Sequence, residues 1–432
     1  MSRAWRVRGG RPLVGRVISP PDKSISHRAL ILGALAEGTT TIRGMLEGED
    51  CLATVRIVRQ LGVSVERLGP GEWSVTGGSL KESDDVLNAG NSGTTMRLMA
   101  GVLAGCPFLS VLTGDDSLRR RPMARIVEPL RKMGADVDAR EDGRLAPLTI
   151  RGGGLHGIRY ESPIASAQVK SCVLLAGLQA EGETVVTEPS LSRDHTERML
   201  VAFGADVERS DLSVAVRGGT RLRATDVEVS GDVSSAAFPL VAGLIVPGSS
   251  VEVLGVGDNP TRTGLLDLLI GAGAHLHITR RREQAGEPVA DMTAEHSPLS
   301  GLSAAGDLVV RMVDEVPAFA VAATQADGYT ELSGASELRH KESDRLATIT
   351  AELRKMGADI RDTHDGLLVH GPTQLHGAVV CSHGDHRIAM SLAVAGLAAK
   401  GETVVEDVEC VDTSFPGFVE MMHSLGADIR EA

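Results

Sequence analysis

Basic residues in this chain occur in short motifs together with small polar residues. Lys23, Ser24 and Arg28 lie in DKSISHR, after two prolines and at the start of a Leu/Ala-rich segment that predicts a helix. The first N–H groups of a helix lack intrahelical acceptors and the helix dipole is positive there, so this end favours an anion. We therefore predict an anion site at this helix start, with Ser24 as a simple N-cap being the plainer alternative.

Two further motifs have the same character. In NAGNSGTTMRL, residues 88–98, small residues around Gly93 would let backbone N–H groups approach a ligand, although a glycine-rich N-cap explains the pattern equally well. It is not a Walker motif, because no Lys follows Gly93. In LRRRPMARIVEPL, residues 118–130, Pro122 fits a first helical turn and would place Arg121 at its positive end. Runs of arginine are also typical of a solvated face.

The remaining motifs add neutral donors, acids and more cations. In SPIASAQVKS, Ser166 and Gln168 could form neutral hydrogen bonds with hydroxyl groups. In LSRDHTERM, the guanidinium of Arg193 could bind a phosphate or carboxylate through two hydrogen bonds. Later motifs carry Asp314 in MVDEVPAF, Lys341, Glu342 and Arg345 in LRHKESDRL, and Asp385, His386 and Arg387 in SHGDHRIAM. KESDR could be only a salt-bridged helix face. Cys381, His383 and His386 could be taken for metal ligands, but the sequence offers no fourth partner nearby.

The elements that must position these motifs repeat six times along the chain. An apolar helix, a glycine and a Thr/Val-rich strand recur at Gly38, Gly105, Gly182, Gly248, Gly328 and Gly401. A second helix follows each and ends in a Gly-Ala-like turn before a strand, at Gly62, Gly134, Gly204, Gly273, Gly357 and Gly426. We expect glycine in both series to be the left-handed stop just past a helix.

Alternating strands and helices predict the α/β class. We expect two domains of three repeats each, with the chain crossing between them at Ser19–Pro21 and near Val229–Asp232. This gives residues 1–19 plus 231–432 as one discontinuous domain and residues 20–230 as the other. The polar segment from Arg280 to Ala294 is expected to be an exposed loop.

Placed on these repeats, the cations form one pattern. We predict that Lys23, Arg28, Arg121, Arg193, Lys341, Arg345 and Arg387 all lie at helix starts that face a shared cleft. Such a cleft would bind strongly anionic ligands. The acids left in it, Asp314 and Glu342, are candidates for a general base and a general acid.

Composition limits the classes of function. A chain of 432 residues exceeds one ordinary core, and 42% apolar residues without a membrane-length apolar run indicate a globular protein. A net charge of −13 argues against a nucleic-acid or membrane-surface protein. Five cysteines without a CxxC pair, and an N-terminus without a signal sequence, favour the reducing cytoplasm.

Together the motifs DKSISHR, GNSGTTMRL, RPM, SAQVKS, SRDHTERM, DEVP, KESDR and DHRIAM resemble the 3-phosphoshikimate 1-carboxyvinyltransferase (EPSP synthase) family along essentially the whole chain. The resemblance implies a two-domain inside-out α/β barrel of six βαβαββ units, with the active site in the interdomain cleft. It implies transfer of the enolpyruvyl group of phosphoenolpyruvate to the 5-hydroxyl of shikimate 3-phosphate, with release of phosphate and without a metal or organic cofactor.

The resemblance also implies roles for single residues. Asp314 would be the base at the hydroxyl, while Glu342 and Lys23 would share the proton transfers at the phosphoenolpyruvate carbon and the leaving phosphate. Phosphoenolpyruvate would be held by Lys23, Gly93, Arg121, Gln168, Arg345 and Arg387. Shikimate 3-phosphate would be held by Lys23, Ser24, Arg28, Ser166, Ala167, Gln168, Arg193, Asp314 and Lys341.

Two positions depart from patterns seen in some family members. Leu98 replaces a proline after the Met-Arg of the glycine motif, and Thr413 replaces a lysine, so one phosphoenolpyruvate contact of those members is in doubt. Glyphosate competes with phosphoenolpyruvate in this family, and Gly93 leaves room for it. We expect a monomer that has no nucleic-acid or membrane partner.

Two alternatives are open. The sister family that uses UDP-N-acetylglucosamine has Asn after the early Lys and a reactive Cys in the loop of the second repeat. This chain has Ser24, and its segment from Thr113 to Pro122 contains no Cys. A non-catalytic ring of repeats around DNA is the other, and the net charge of −13 argues against it.

Overall fold

The computed structural model describes residues 3–432. The described chain forms two compact units. Unit 1 contains the described residues up to Pro20 together with Ser230–Glu283 and Pro288–Ala432, and unit 2 contains Pro21–Val229 and Gln284–Glu287. Among the described residues, no helix combines the length and the hydropathy needed to cross a membrane.

Helices and strands alternate along the chain, which confirms the predicted α/β class. The helices are α1 Lys23–Leu35, α2 Glu49–Gln60, α3 Gly93–Ala104, α4 Ala124–Lys132, α5 Arg140–Gly143, α6 Ala167–Gly177, α7 His195–Ala202, α8 Val233–Ile245, α9 Gly264–Gly271, α10 Asp307–Val310, α11 Val316–Thr324, α12 Arg345–Lys355, α13 His386–Ala398 and α14 Phe418–Ser424. Short 3-10 helices lie at Leu118–Arg120, Ser336–His340 and Glu409–Thr413.

The strands are short and are distributed over the whole chain. They are β1 Ala4–Arg8, β2 Val14–Ile18, β3 Gly38–Arg43, β4 Ser64–Gly69, β5 Glu72–Gly77, β6 Leu87–Asn88, β7 Leu109–Thr113, β8 Asp136–Ala139, β9 Leu145–Arg151, β10 Arg159–Glu161, β11 Glu183–Thr187, β12 Val207–Ser210, β13 Ser213–Arg217, β14 Val227–Glu228, β15 Ser250–Gly257, β16 His275–Gln284, β17 Glu287–Glu295, β18 Leu299–Ser300, β19 Ser303–Ala304, β20 Ala326–Leu332, β21 Asp359–Asp362, β22 Leu367–Gly371, β23 Val379–Cys381, β24 Glu402–Glu406 and β25 Asp428–Glu431.

Six small sheets share one strand pattern, which confirms the six predicted repeats. In each sheet an edge strand pairs in parallel with a second strand, which pairs antiparallel with a third, and a fourth strand completes the order. Unit 2 contains the orders β14-β3-β5-β4, β6-β7-β9-β8 and β10-β11-β13-β12. Unit 1 contains β2-β15-β17-β16, β18-β20-β22-β21 with β19 also on β20, and β23-β24-β1-β25.

The two edge strands β2 and β14 are exchanged between repeats. Strand β2 precedes α1 in the chain but pairs in parallel with β15, which follows α8. Strand β14 precedes α8 but pairs in parallel with β3, which follows α1. Each exchanged strand therefore completes a sheet whose other strands come from a distant part of the sequence.

The first helix of each repeat forms the interior of its unit. Helices α1, α3 and α6 are almost wholly buried in unit 2, as are α8, α11 and α13 in unit 1. Small residues permit this close packing: a Cβ atom on Gly101 of α3 would lie 2.2 Å from the carbonyl oxygen of Cys172 in α6. This packing explains how a chain with only 2% aromatic residues fills two cores.

The second helix of each repeat ends as predicted. Its glycine has a φ between 84° and 99°, the left-handed conformation that a residue without Cβ adopts most readily, at Gly62, Gly134, Gly204, Gly273, Gly357 and Gly426. The same expectation for the first helices holds in part. Gly38, Gly182, Gly248, Gly328 and Gly401 are left-handed, with φ between 78° and 107°, but they lie three to five residues after the last helical residue, at or near the start of the following strand. Gly105 directly follows α3 but has a φ of −86°, so it is not a left-handed stop.

The expected loop from Arg280 to Ala294 was also wrong. Strands β16 and β17 occupy most of this segment, and only the two residues between Gln284 and Glu287 form the turn. The polar composition misled the prediction because one strand of the pair, β16, is largely exposed, whereas Ala290, Met292 and Ala294 of β17 are buried.

Candidate active site

The start of α1 in unit 2 presents a lysine held by an acidic side chain. Asp22 caps the helix by accepting a hydrogen bond from Ile25 N at 2.9 Å, so the alternative of Ser24 as the N-cap was wrong. Lys23 is the first helical residue, and its Nζ lies 3.0 Å from Asp50 Oδ2 at the start of α2. Both side chains keep 15% or less of their surface exposed. Asp50 was not among the predicted site residues, because it lies far from Lys23 in the chain.

Arg28 is a buried cation whose hydrogen-bond partners are neutral. It donates from Nε to Thr196 Oγ1 at 2.7 Å, from Nη2 to Ser171 Oγ at 2.8 Å and from Nη1 to Ser24 O at 3.0 Å. Burial is the main cause that lowers the pKa of Arg28 to about 10, and the charge of Arg193 contributes in the same direction. Binding of an anion would stabilise the charged form of a guanidinium in this setting. Arg28 lies in the second turn of α1, which corrects its predicted place at the helix start.

Gly93 and Arg121 meet at the start of α3. Ser92 caps this helix by accepting from Thr95 N, so the glycine-rich motif does contain an N-cap. Arg121 is 7% exposed and donates from Nη2 to Asn91 Oδ1 at 2.5 Å. A Cβ atom on Gly93 would lie 3.4 Å from Arg121 Nη1, so the absence of a side chain here leaves space beside the guanidinium.

Arg121 itself is not at an α-helix start. It ends the 3-10 helix Leu118–Arg120, and α4 begins only at Ala124, so the predicted place of Pro122 in a first helical turn was wrong. Arg121 is buried, so it does not belong to a solvated face, the alternative that the run of arginines allowed.

Gln168 in the first turn of α6 is fixed by two residues of α3. Its Oε1 accepts from Arg97 Nη1 at 2.7 Å, and its Nε2 donates to Thr94 Oγ1 at 3.1 Å. Ser166 occupies the N-cap position of α6 and Ala167 is its first residue. Arg97 was not among the predicted site residues, although it follows Gly93 by one helical turn in the same motif.

Arg193 and Lys341 precede their helices. Arg193 lies two residues before α7 and is half-buried. Lys341 follows the 3-10 helix Ser336–His340 and lies four residues before α12. Arg193 and Lys341 were predicted at helix starts, but they lie in the connections that precede α7 and α12. Lys23, Arg345 and Arg387 do lie in first turns.

Arg345 in unit 1 is surrounded by three carboxylates. Its Nε donates to Asp385 Oδ2 at 2.8 Å, its Nη2 to Glu342 Oε2 at 2.6 Å and its Nη1 to Asp314 Oδ1 at 3.3 Å. Burial alone would lower the pKa of Arg345, but the charges of these carboxylates raise it above its usual value. The side chain is 2% exposed. The KESDR motif therefore does not form only a salt-bridged surface face, the alternative that its composition allowed, because its Arg345 is buried.

Arg387 and Lys341 complete this group in unit 1. Arg387 Nη1 donates to the backbone oxygen of Asp314 at 3.1 Å, and its Nη2 lies 3.7 Å from Asp314 Oδ2. Burial lowers the pKa of Lys341 below its usual value, while Asp314 acts in the opposite direction. The nearby Asp385 caps α13 and orients Arg345, a role that the sequence analysis did not assign to it.

The possible metal ligands do not form such a site. Across residues 3–432 no cluster of three or more His, Cys, Asp or Glu side chains is arranged to hold a metal ion. His383 Nε2 lies 3.0 Å from Glu352 Oε1, and its backbone N–H donates to Cys381 Sγ at 3.4 Å.

Each unit therefore brings part of the predicted site together. Both groups combine buried cations with small or acidic side chains at helix termini, which suits the binding of phosphates and carboxylates and the transfer of protons. Of the predicted site residues, unit 2 contains Lys23, Ser24, Arg28, Gly93, Arg121, Ser166, Ala167, Gln168 and Arg193, and unit 1 contains Asp314, Lys341, Glu342, Arg345 and Arg387.

Comparison with known proteins identifies the family of this chain. A family model described as EPSP synthase (3-phosphoshikimate 1-carboxyvinyltransferase) matches residues 7–422. The chain belongs to the EPSP synthase family. Neither the sister family nor the DNA-encircling ring is needed as an alternative.

Relatives of the EPSP synthase family match almost end to end. The chain is 51% identical over 419 residues to a 3-phosphoshikimate 1-carboxyvinyltransferase of Brevibacillus brevis, covering 96% of this chain and 98% of the relative. It is 52% identical over 416 residues to one of Bacillus thuringiensis subsp. konkukian, covering 96% and 97%. A solved EPSP synthase of Acinetobacter baumannii superimposes with a TM-score of 0.89 at 45% identity, covering all of both chains.

Proposed function

We propose that this chain transfers the enolpyruvyl group of phosphoenolpyruvate to the 5-hydroxyl of shikimate 3-phosphate, which gives 5-enolpyruvylshikimate 3-phosphate and phosphate. This step belongs to the shikimate pathway, which leads to chorismate and the aromatic amino acids. The observation that carries the proposal is the family match over residues 7–422. The buried cations in both units support it, because both substrates are phosphorylated acids.

The chemistry requires two proton transfers in the addition step and a third in the elimination. The substrate hydroxyl must lose a proton while the methylene carbon of phosphoenolpyruvate gains one, and addition gives a tetrahedral intermediate. Elimination of phosphate then reverses the protonation at carbon. A positioned base and acid each contribute about 10²–10⁴-fold to such a reaction.

We assign Asp314 as the base at the hydroxyl. Its carboxylate is held between Arg345 and Arg387 and keeps 15% of its surface exposed, so it is both oriented and accessible. Glu342, 18% exposed and bonded to Arg345, and Lys23, 15% exposed, are the candidates for the proton transfers at the carbon and the leaving phosphate.

For each substrate, the proposed binding residues come from both units. Arg121, Arg345 and Arg387 bind phosphoenolpyruvate together with Lys23, Gly93 and Gln168. Shikimate 3-phosphate is bound by Lys23, Ser24, Arg28, Ser166, Ala167, Gln168, Arg193, Asp314 and Lys341. Because residues of both units take part, we propose that the two units act as domains that close over the substrates and exclude water. The predicted bounds, 1–19 plus 231–432 and 20–230, differ from those of the units at residues 20 and 230 and at Gln284–Glu287, which belongs to unit 2.

The enzyme acts as a monomer in the cytoplasm, to which its five free cysteines are suited. It binds no nucleic acid or membrane, as its net charge of −13 supports. Glyphosate competes with phosphoenolpyruvate beside Gly93.

The deciding experiment measures phosphate release from phosphoenolpyruvate. Release that requires shikimate 3-phosphate, and that is absent when UDP-N-acetylglucosamine replaces it, is the expected result. Asp314→Asn serves as the inactive control. Release without any acceptor, or with the nucleotide sugar, would contradict the proposed function.

A further inference from the structure

The motif SAQVKS contains a lysine for which the reaction has no direct use. Lys170 lies in α6 and is 2% exposed. Its Nζ is 2.7 Å from Glu188 Oε2 and 2.8 Å from Glu197 Oε1, and both carboxylates are themselves 3% exposed or less. Burial by itself would lower the pKa of Lys170, but Glu197 and Glu188 raise it, so the lysine is charged.

Glu188 connects this buried pair to two segments of backbone. Its Oε1 accepts from Ser166 N at 3.2 Å and from Ser192 Oγ at 2.6 Å, and its Oε2 accepts from Ser192 N at 3.4 Å. Lys170 also donates to Ser192 O at 3.3 Å. One ion pair thus fixes the end of the connection before α6 to the connection before α7.

These two connections carry residues that are proposed to hold shikimate 3-phosphate. Ser166 is bonded to Glu188 through its own backbone N–H, and Arg193 directly follows Ser192. We propose that Lys170 and Glu188 are positioning residues that set the spacing of Ser166 and Arg193 for shikimate 3-phosphate. This inference rests on the proposed function. Neither side chain needs to touch the substrate.

The charge balance of the cluster supports the same role. Lys170 is shared by two carboxylates, and Oε2 of Glu197 is buried without a hydrogen-bond partner. The negative charge of Glu197 also acts on Arg28, the neighbouring cation of the proposed substrate site. Without the lysine, two buried carboxylates would be left unpaired close to a site for anions. They would repel the substrate and each other.

The test compares Lys170→Met and Glu188→Gln with the exposed-lysine control Lys400→Met. Calorimetric titration with shikimate 3-phosphate alone measures its Kd, and steady-state kinetics measure KM for both substrates. We expect Kd for shikimate 3-phosphate to rise about tenfold or more in both variants, which corresponds to about 1.4 kcal/mol. KM for phosphoenolpyruvate at saturating shikimate 3-phosphate should change about threefold or less, and Lys400→Met should match the wild type.

A second substitution separates positioning and charge from loss of folding. Adding Glu197→Gln to Lys170→Met removes one unpaired carboxylate, so part of the affinity for shikimate 3-phosphate should return. If Lys170→Met does not fold, as judged by Tm, Glu188→Gln decides alone, since it changes one charge and keeps the side-chain shape. An unchanged Kd in the folded variants, or an equal loss for both substrates, would overturn the proposal. Failure of the wild type to bind shikimate 3-phosphate would instead refute the proposed function.

Discussion

Asp314 Oδ1 lies 3.3 Å from Nη1 of Arg345. Arg345 is in turn held from its other edge by Asp385, which is completely buried. The proposed base is therefore oriented by a cation that is also proposed to bind phosphoenolpyruvate. Phosphoenolpyruvate binding and the orientation of the proposed base therefore both depend on the guanidinium group of Arg345.

Substitution of Asp314 should abolish most of the turnover without unfolding the protein. Asp314→Asn keeps the size of the side chain but removes the proton acceptor, so we expect kcat to fall about 10²–10⁴-fold. The exposed Asp327 in β20 provides the control Asp327→Asn, which should behave as the wild type. Stopped assays of phosphate release measure both variants. Near-normal kcat in Asp314→Asn would remove it from the role of base.

Arg121 should matter more for phosphoenolpyruvate than for shikimate 3-phosphate. Arg121→Ala removes a buried guanidinium beside Gly93, and we expect KM for phosphoenolpyruvate to rise about tenfold or more. Arg120→Ala, at the exposed neighbouring arginine, should leave both KM values unchanged. An equal rise for both substrates in Arg121→Ala would show that the residue is placed in the wrong subsite.

A methyl group on Gly93 should displace cations and leave stability nearly intact. The new Cβ would lie 2.8 Å from Arg97 Nη1 and 3.4 Å from Arg121 Nη1. Because both atoms end flexible side chains, Gly93→Ala should change the free energy of unfolding by about 1 kcal/mol or less. KM for phosphoenolpyruvate and the inhibition constant of glyphosate should both rise.

Gly271→Ala is the matched control for this change, because a Cβ atom there meets nothing within 4 Å. It should leave KM, inhibition and stability as in the wild type. An unchanged KM for phosphoenolpyruvate in Gly93→Ala would indicate that this part of α3 does not contact the substrate.

The affinity for shikimate 3-phosphate should fall at alkaline pH. Burial lowers the pKa of Lys341 below 10.5, so this lysine loses its charge at a lower pH than an exposed lysine does. Kd should therefore begin to rise at a lower pH than the titration of an ordinary exposed lysine would produce. In Lys341→Arg the charge persists, and the rise should move to higher pH. Titration calorimetry across the alkaline pH range tests the prediction, and identical pH profiles for the two proteins would contradict it.

The repeat architecture could be predicted because its signals are local. A glycine in the left-handed conformation follows the second helix of each of the six repeats, from Gly62 in the first to Gly426 in the last. Only a residue without Cβ adopts that conformation at little cost. The ends of the first helices were predicted less accurately. Most of these helices end several residues before the glycine that was expected to stop them, because composition does not show where a buried helix ends and a strand begins.

Single residues of the site were harder to place than motifs. Arg28 and Arg345 could be selected because charged residues stand out next to apolar helices. Their partners could not: Thr196 and Ser171 contact Arg28 from other helices, and Asp385 reaches Arg345 from α13. The strand pair formed by β16 and β17 was missed for a related reason, because its polar strand gives no local signal of pairing.

Local sequence patterns were sufficient to predict the α/β class, the six repeats and the motifs that resemble one family, because helix periodicity, glycine stops and motif order depend on neighbouring residues. The folded structure was needed to show that Lys23 pairs with Asp50, that Lys170 lies between Glu188 and Glu197, and that β2 and β14 exchange sheets. These relationships join residues that are distant in the chain, and they arise from packing and charge pairing in the folded core.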